Sequence, residues 1–311
     1  MGNDDVIDFF NRYTGSMERE VVYGGQSLRW VYGTRTGRCL LRLIIKRSFF
    51  SRFYGWLMDR PSSRKRIQPF IETFGVNMSE FEGEAEDFPH FNAFFYRRLK
   101  RGARPVAGGE GIAVFPADGR HLVFPDLSNV EGVYAKGQRF SLPELTGDAG
   151  LGRRYKEGSM MISRLCPVDY HRFHFCSEGV AGEPHLLNGS LHSVNPLALR
   201  RNLRYLWENR RMRTLLDTPG FGRVLCIEIG ATCVGSIRQS YAPGEEVRRG
   251  DEKGFFAFGG SCVILLFEPG RISFDEDVAE KSRCGVETYA RMGDRMGTRL
   301  FCGSVSGRES W

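Results

Sequence analysis

Histidine is scarce in this chain. Six occur in 311 residues, so any imidazole chemistry has few positions to work from. Eight cysteines occur (Cys39, Cys166, Cys176, Cys226, Cys233, Cys262, Cys284 and Cys302), yet no two have CxxC spacing. That removes the usual signature of a zinc knuckle or a thiol redox pair. A chain of this size needs no disulfide framework, and scattered thiols read as reduced in a cytosolic setting. No apolar run reaches the roughly 18 residues that a single spanning helix requires. The first residues are acidic, with Asp4, Asp5 and Asp8, and do not read as a secretory signal. Val6 occupies the place where a myristoylation signal has Ser or Thr. Internal repeats and low-complexity tracts are not visible.

The composition that remains is that of a folded globular protein, 41% hydrophobic and 26% charged. The net charge of +7 and pI near 9.0 point to an anionic partner, whether nucleic acid, acidic lipid or an acidic small molecule. No nucleic-acid-binding motif is present, and the aromatics recur at helical rather than stacking-platform spacing. Between Arg29 and Arg66, eleven Lys or Arg residues face a single acidic one, Asp59. Leu41, Ile45, Phe49, Phe53 and Leu57 recur every four residues there, with Ile44 and Trp56 beside them, which predicts one apolar helix face. Arg38, Arg42 and Lys46 step along another face. A basic helix with aromatic residues on its apolar side suits a membrane interface. The plainer alternative is a surface helix packed on a core with its charges solvated.

From about Arg104 the texture changes to short apolar runs broken by Gly, Pro and Asp: Ile112–Phe115, Leu122–Phe124, Met160–Leu165, Val224–Ile229, Thr232–Ile237 and Val263–Phe267. A helix is expected around Val6 to Tyr13, another over Phe91 to Leu99, and a helical insert at about Leu197 to Leu216. The pattern predicts an α+β protein. Residues 1–103 are expected to form a helical, basic, membrane-associating region, and residues 104–311 a compact β-rich domain.

The stretch that organises the β-rich part is Phe255 to Phe267, FFAFGGSCVILLF. A glycine pair at a strand edge marks a bulge or a close backbone approach, and here a hydroxyl follows it directly. One reading is a simple turn. The other is a site where the Ser261 oxygen reaches the Gly260 carbonyl carbon, so that an N-to-O acyl shift turns the amide into an ester. Elimination at Ser261 then cuts the chain and leaves a dehydroalanine that hydrolyses to a pyruvoyl group. Two of the six histidines lie in Pro167-Val168-Asp169-Tyr170-His171-Arg172-Phe173-His174. In an unbroken strand His171 and His174 face opposite ways, whereas a turn brings both to one pocket. The HxxH spacing alone does not make a zinc site, which needs a third ligand, and no metal is expected. Asp118, in Phe115-Pro116-Ala117-Asp118-Gly119, is either an Asx-turn residue or an acid that orients a histidine.

These segments, together with FFYRRLKRGARPV, YAKGQRFSLPELTGD, HSVNPLAL, GATCVGSI, RRGDEKGFFAFGGS and VETYARMG, occur in one order. In that order the chain, from about Phe94 to Gly293, resembles the phosphatidylserine decarboxylase family of self-cleaving, pyruvoyl-dependent enzymes. The resemblance implies cleavage between Gly260 and Ser261, with Ser261 becoming the covalent pyruvoyl cofactor. It implies that Asp118 and His174 activate Ser261 for self-cleavage and that His171 assists decarboxylation. The implied substrate is phosphatidylserine in an anionic membrane, converted to phosphatidylethanolamine and carbon dioxide through a Schiff base on the pyruvoyl ketone. The two chains of the precursor are expected to stay associated, with a second copy of the chain as a candidate partner. The expected location is peripheral, on the cytoplasmic face of the cell membrane. The chain departs from the commoner pattern in Gly259-Gly260-Ser261-Cys262, where many bacterial members have Leu-Gly-Ser-Thr, and in Lys253, where an apolar residue is usual. Alternatives are a pyruvoyl decarboxylase of another amino-acid substrate and a non-catalytic membrane-bound relative.

Overall fold

A computed structural model describes residues 7–22, 25–41, 43, 48–128, 140–231, 236–257, 259 and 261–300. The run Ser261–Phe267 is a strand in the interior of an 11-stranded sheet. Along that sheet lie, in spatial order, Glu246–Val247, Gly179–Ala181, Arg211–Thr218, Gly222–Gly230, Ser261–Phe267, Ser159–Leu165, Gly119–Phe124, Glu287–Ala290, Asp8–Asn11 and Ser16–Arg19. His185–Leu187 also pairs with Arg211–Thr218. The central pairings are antiparallel, and Asp8–Asn11 runs parallel to Glu287–Ala290.

The central strand is buried along its whole length because the sheet is covered on both faces. Cys262, Ile264 and Leu266 enter one core with Met160, Ile162, Leu225, Ile227 and Ile229. Val263, Leu265 and Phe267 enter the other with Met161, Leu165, Val224 and Cys226. Period-two side-chain alternation with apolar packing on each side explains why this strand reads as an unbroken apolar run.

Two smaller sheets flank the large one. Ile237–Gln239, Glu252–Phe256 and Arg172–His174 form one, and Ile272–Phe274, Arg295–Arg299 and Ile112–Val114 the other. Gly119 opens its strand where a Cβ would lie 2.6 Å from the Arg164 carbonyl oxygen, so the close pairing with Ser159–Leu165 requires glycine there.

The α+β class holds, with differences in detail. Residues 8–19, read as part of a helical region, form two strands of the main sheet, because Phe9 packs inward and Asp8–Asn11 finds the open edge of Glu287–Ala290. The expected insert over 197–216 is helical only at Pro196–Leu199 and Tyr205–Glu208, and its last part is the strand Arg211–Thr218. Partnership with Gly222–Gly230 overrides the local helical pattern there. The helix expected over 91–99 stops at Phe95. The strand expected at Thr232–Ile237 lies outside the described residues over 232–235.

The basic segment is likewise not one described stripe. Its helices are Gly25–Gly33, Arg35–Leu40 and Ser48–Met58, and Arg42, Ile44, Ile45 and Lys46 lie outside the residues whose side chains are described. Leu41 is buried, whereas Phe49, Phe53 and Trp56 are about half exposed. Those three lie at i, i+4 and i+7 on one helix, a single outward face. The inward face, with Tyr54, Leu57 and Met58, packs on Ile67, Phe70, Phe91 and Phe94. No described helix is long and apolar enough to cross a membrane.

Ile264 fills a fully buried position, so Ile264→Ala should lower the unfolding free energy by about 2–5 kcal/mol. Urea unfolding followed by circular dichroism measures this. A loss below about 1 kcal/mol would show that the central strand is not the packed core described.

Candidate active site

Ser261 is the first residue of the central strand and pairs with Leu165 on one side and Gly230 on the other. Leu165 ends its own strand, and the chain then turns through Cys166–Tyr170 into the small sheet at Arg172–His174. Glu252–Phe256 lies antiparallel to Arg172–His174 in that small sheet, and the Phe256 N–H donates to the His171 carbonyl at 3.0 Å. Phe256 therefore lies beside His171 and Ser261 beside Leu165, at the small sheet and the main sheet respectively. Gly259 sits in this passage at φ +127°, a backbone region that side-chain-bearing residues rarely adopt. Gly260 lies outside the described residues.

This paired crossing brings His171 against Ser261, with Nδ1 3.4 Å from the serine Oγ and both residues fully buried. His171 Nε2 lies 2.9 Å from the Cys166 carbonyl oxygen. A carbonyl only accepts, so Nε2 carries the proton and Nδ1 presents its lone pair to the serine hydroxyl. Phe95 stacks on the ring at 3.9 Å between centroids. Burial, helped by the nearby Arg97 guanidinium, pushes the His171 pKa down to about 3. The imidazole is therefore neutral near pH 7, with the Nδ1 lone pair turned to the serine hydroxyl.

His174, three residues on, does not contact Ser261. Its Nδ1 lies 3.0 Å from the Gly250 carbonyl oxygen and its Nε2 3.2 Å from the Tyr170 hydroxyl. That pattern makes Nδ1 the donor and Nε2 the acceptor. Burial holds its pKa below the usual histidine value. The His174 N–H donates to the Pro116 carbonyl at 2.7 Å, which keeps this histidine beside the turn that carries Asp118. No hydrogen bond joins Asp118 to His174, however. The Asp118 carboxylate is held by Arg104, with its Nη2 at 2.7 Å, and by the Met292 N–H at 2.8 Å. A carboxylate this buried needs a cation, and Arg104 supplies it at the entrance to the β-rich part. The sequence therefore named four residues of which the structure joins Ser261 with His171 directly, and sets His174 and Asp118 on an adjoining wall.

Sequence reasoning overlooked the Cys166 carbonyl, Phe95, Arg97 and Tyr170. Phe95, Arg97 and Tyr170 lie within quoted motifs and Cys166 immediately precedes one, but neither those side-chain types nor a backbone carbonyl announces a role. Lys253, marked as a departure, pairs with Glu228 at 3.0 Å and hydrogen-bonds Gln239 at 2.9 Å and Thr214 at 3.1 Å. It ties the small sheet to the main one. Cys262 turns into the core beside Ile264, and burial pushes its thiol pKa up, leaving it a packing residue. Among the described residues, no three His, Cys, Asp or Glu side chains converge to hold a metal ion.

The depressed pKa has a consequence for stability. An unfolded histidine takes up a proton near pH 6.5, whereas native His171 stays neutral down to about 3. Stability should therefore fall as pH drops below about 6.5, because the unfolded state binds more protons. His171 should contribute a loss of roughly 2 kcal/mol between about pH 7.5 and pH 5. Urea unfolding of the parent and of His171→Asn at both pH values should show a smaller pH dependence in the variant. Equal dependence in both would contradict the buried, neutral assignment.

The family model described as phosphatidylserine decarboxylase matches residues 91–298, which covers the site and most of the sheet. A phosphatidylserine decarboxylase proenzyme of Chlamydia muridarum is 48% identical over 292 residues, covering 94% of this chain and 97% of the relative. Proenzymes of the same name from Desulfitobacterium hafniense and Clostridium novyi are each 42% identical, covering 94% and 95% of this chain and 99% and 100% of their own lengths. With this coverage, and with a buried serine at a glycine-preceded strand start facing a neutral histidine, the chain belongs to the phosphatidylserine decarboxylase family.

Proposed function

We propose that this protein is a self-processing phosphatidylserine decarboxylase that makes phosphatidylethanolamine and carbon dioxide. The observation that carries the reading is the Ser261 hydroxyl 3.4 Å from the lone-pair nitrogen of a neutral, buried His171. Self-processing needs only this chain. The Ser261 hydroxyl gives up its proton, its oxygen bonds to the Gly260 carbonyl carbon, and the Gly260–Ser261 C–N bond breaks with the proton passing to nitrogen. Loss of the Ser261 α-proton then expels the Gly260 carboxylate. Water enters, ammonia leaves, and residue 261 becomes a pyruvoyl group. When formed, that group supplies a carbonyl electron sink of the kind that decarboxylation requires.

The surroundings of residue 261 fit such a group. The position is dry, anchored by strand pairing on both sides, and faced by an imidazole that can hold or move a proton. His171 is placed to handle protons at residue 261 during turnover. Family resemblance, not contact, makes His174 beside the Asp118 turn the candidate base for self-cleavage, since the Ser261 hydroxyl meets His171 in this structure. His174→Ala should accumulate uncut chain, while His171→Ala should cut at least partly and decarboxylate poorly. The reverse pattern on a denaturing gel would assign the cleavage base to the histidine that touches Ser261.

Phe49, Phe53 and Trp56, with Arg60 stacked over Trp56 at 4.0 Å, form the face that would meet the anionic bilayer holding the substrate. The reading makes the protein peripheral, on the cytoplasmic surface. Replacing the three aromatics with Ser should weaken binding to phosphatidylserine-containing vesicles about tenfold or more, since burial of one such ring is worth ~1.5–3 kcal/mol. Unchanged sedimentation with vesicles would remove this face from membrane binding.

The decisive measurement on the purified protein is intact mass. It should resolve one chain ending at Gly260 and another beginning at residue 261 with a pyruvoyl in place of serine, and the two should co-purify because Val263 to Phe267 lies in the core. Ser261→Ala should remain one inactive chain. An active protein with an intact, unmodified Ser261 would falsify the mechanism.

A further inference from the structure

Among the described residues, no carboxylate hydrogen-bonds the His171 ring. Its protonation pattern depends on the Cys166 carbonyl, and that carbonyl belongs to a turn closed from both ends by one residue. The Asp169 N–H donates to the Cys166 carbonyl at 2.9 Å, and the Asp169 carboxylate accepts from the Cys166 N–H at 2.6 Å. The same carbonyl receives His171 Nε2–H. Any rotation of this turn therefore removes the partner that keeps the Nε2 proton in place.

Asp169 is buried and clamped by Arg120, whose Nη1 lies 2.7 and 2.5 Å from the two carboxylate oxygens. Arg120 and Arg164 are directly paired across adjacent strands. Both guanidiniums converge on Glu20, which follows the Ser16–Arg19 strand. Arg164 Nη2 is 2.6 Å from Glu20 Oε2, and Arg120 Nε is 3.6 Å from the same oxygen. Arg164 also holds Glu287 at 2.5 Å and donates to the Cys166 sulfur at 2.9 Å. Two cations and three carboxylates are thus sealed behind the histidine turn, in a region too dry to tolerate an unmatched member.

We propose that Asp169 is the positioning residue for His171, and that Glu20 completes the device by locking Arg120 and Arg164 behind it. The inference rests on the reading of Ser261 and His171 given above, and goes beyond it by assigning the orientation of the imidazole to a carboxylate acting through a peptide unit. A carbonyl partner fixes the tautomer without the charge that a directly bonded carboxylate would bring to the ring. It also makes the N-terminal hairpin, through Glu20, a part of the catalytic apparatus although no atom of it reaches Ser261.

The test uses purified, processed protein labelled with ¹⁵N-histidine, the His171 signal being identified by its loss in His171→Asn. The parent should show the Nε2–H form at His171. In Asp169→Asn the signal should move toward a mixture of tautomers. The kcat, expressed per chain beginning at residue 261, should fall about tenfold to a hundredfold, by analogy with the loss of the carbonyl or carboxylate that orients a metal-bound histidine. KM should stay within about twofold, since the residue does not touch substrate. Glu20→Gln keeps the volume but removes the charge and turns one acceptor oxygen into an N–H donor, and should shift both readouts the same way by a smaller factor. A parent-like His171 signal in Asp169→Asn overturns the proposal, even if kcat falls, because a merely structural role would spare the tautomer. A moved signal with unchanged kcat overturns it as well. Should Asp169→Asn fail to fold, Glu20→Gln decides by the same two readouts. If the parent does not decarboxylate phosphatidylserine, the functional reading fails, while the tautomer signals still decide the positioning role.

Discussion

A hydroxyl at the start of a strand that is buried on both faces has no water to turn to. Most of the site follows from that constraint. Ser261 is placed there by the apolar strand it begins, whose alternate side chains fill two separate cores. The strand it begins cannot relax without disturbing the middle of an 11-stranded sheet. The serine is therefore held in register by packing, and among the described residues the side chain that meets its hydroxyl is His171. Reaction at such a position gains from geometry fixed before the chemistry begins.

The second determinant is the pair of crossings between the main sheet and the small sheet of Arg172–His174. Strand pairing of Glu252–Phe256 with Arg172–His174 and of Ser261–Phe267 with Ser159–Leu165 lays the two crossings next to each other. This is why a histidine far away in sequence reaches the serine. It also explains why His171 and His174, three residues apart, have different neighbours: one belongs to the turn and the other to the strand. Their neutrality has a common cause, burial, but their proton positions are set by different acceptors, the Cys166 and Gly250 carbonyls.

Charge is used in this protein in two ways. Inside, Arg120, Arg164, Glu20, Asp169 and Glu287 form a closed set, and Lys253 with Glu228 forms another between sheets. Buried ions of this kind stabilise little on balance but make alternative arrangements costly. Outside, Arg60 stacks over Trp56 beside Phe49 and Phe53 on the exposed aromatic face of the Ser48–Met58 helix. The same residue type thus sits both in buried ion pairs and on the exposed surface, and only burial tells the two apart.

The sequence by itself determined the family, the α+β class, the central strand and the glycine–serine step, because these are written in contiguous residues with their own local chemistry. The apolar run Val263–Phe267 needs no partner to be read as a buried strand, and six histidines leave few candidates for a base. Tertiary structure decided what lies beside what. That Asp8–Asn11 is a strand follows from an available sheet edge, not from its own composition. That Asp118 holds Arg104 rather than a histidine follows from which cation reaches it in the buried turn. The link from Glu20 through two arginines to Asp169 joins positions separated by most of the chain's first half, and nothing in the local sequence marks it. Pairing across sheets is non-local, so a single sequence records its members but not their contacts.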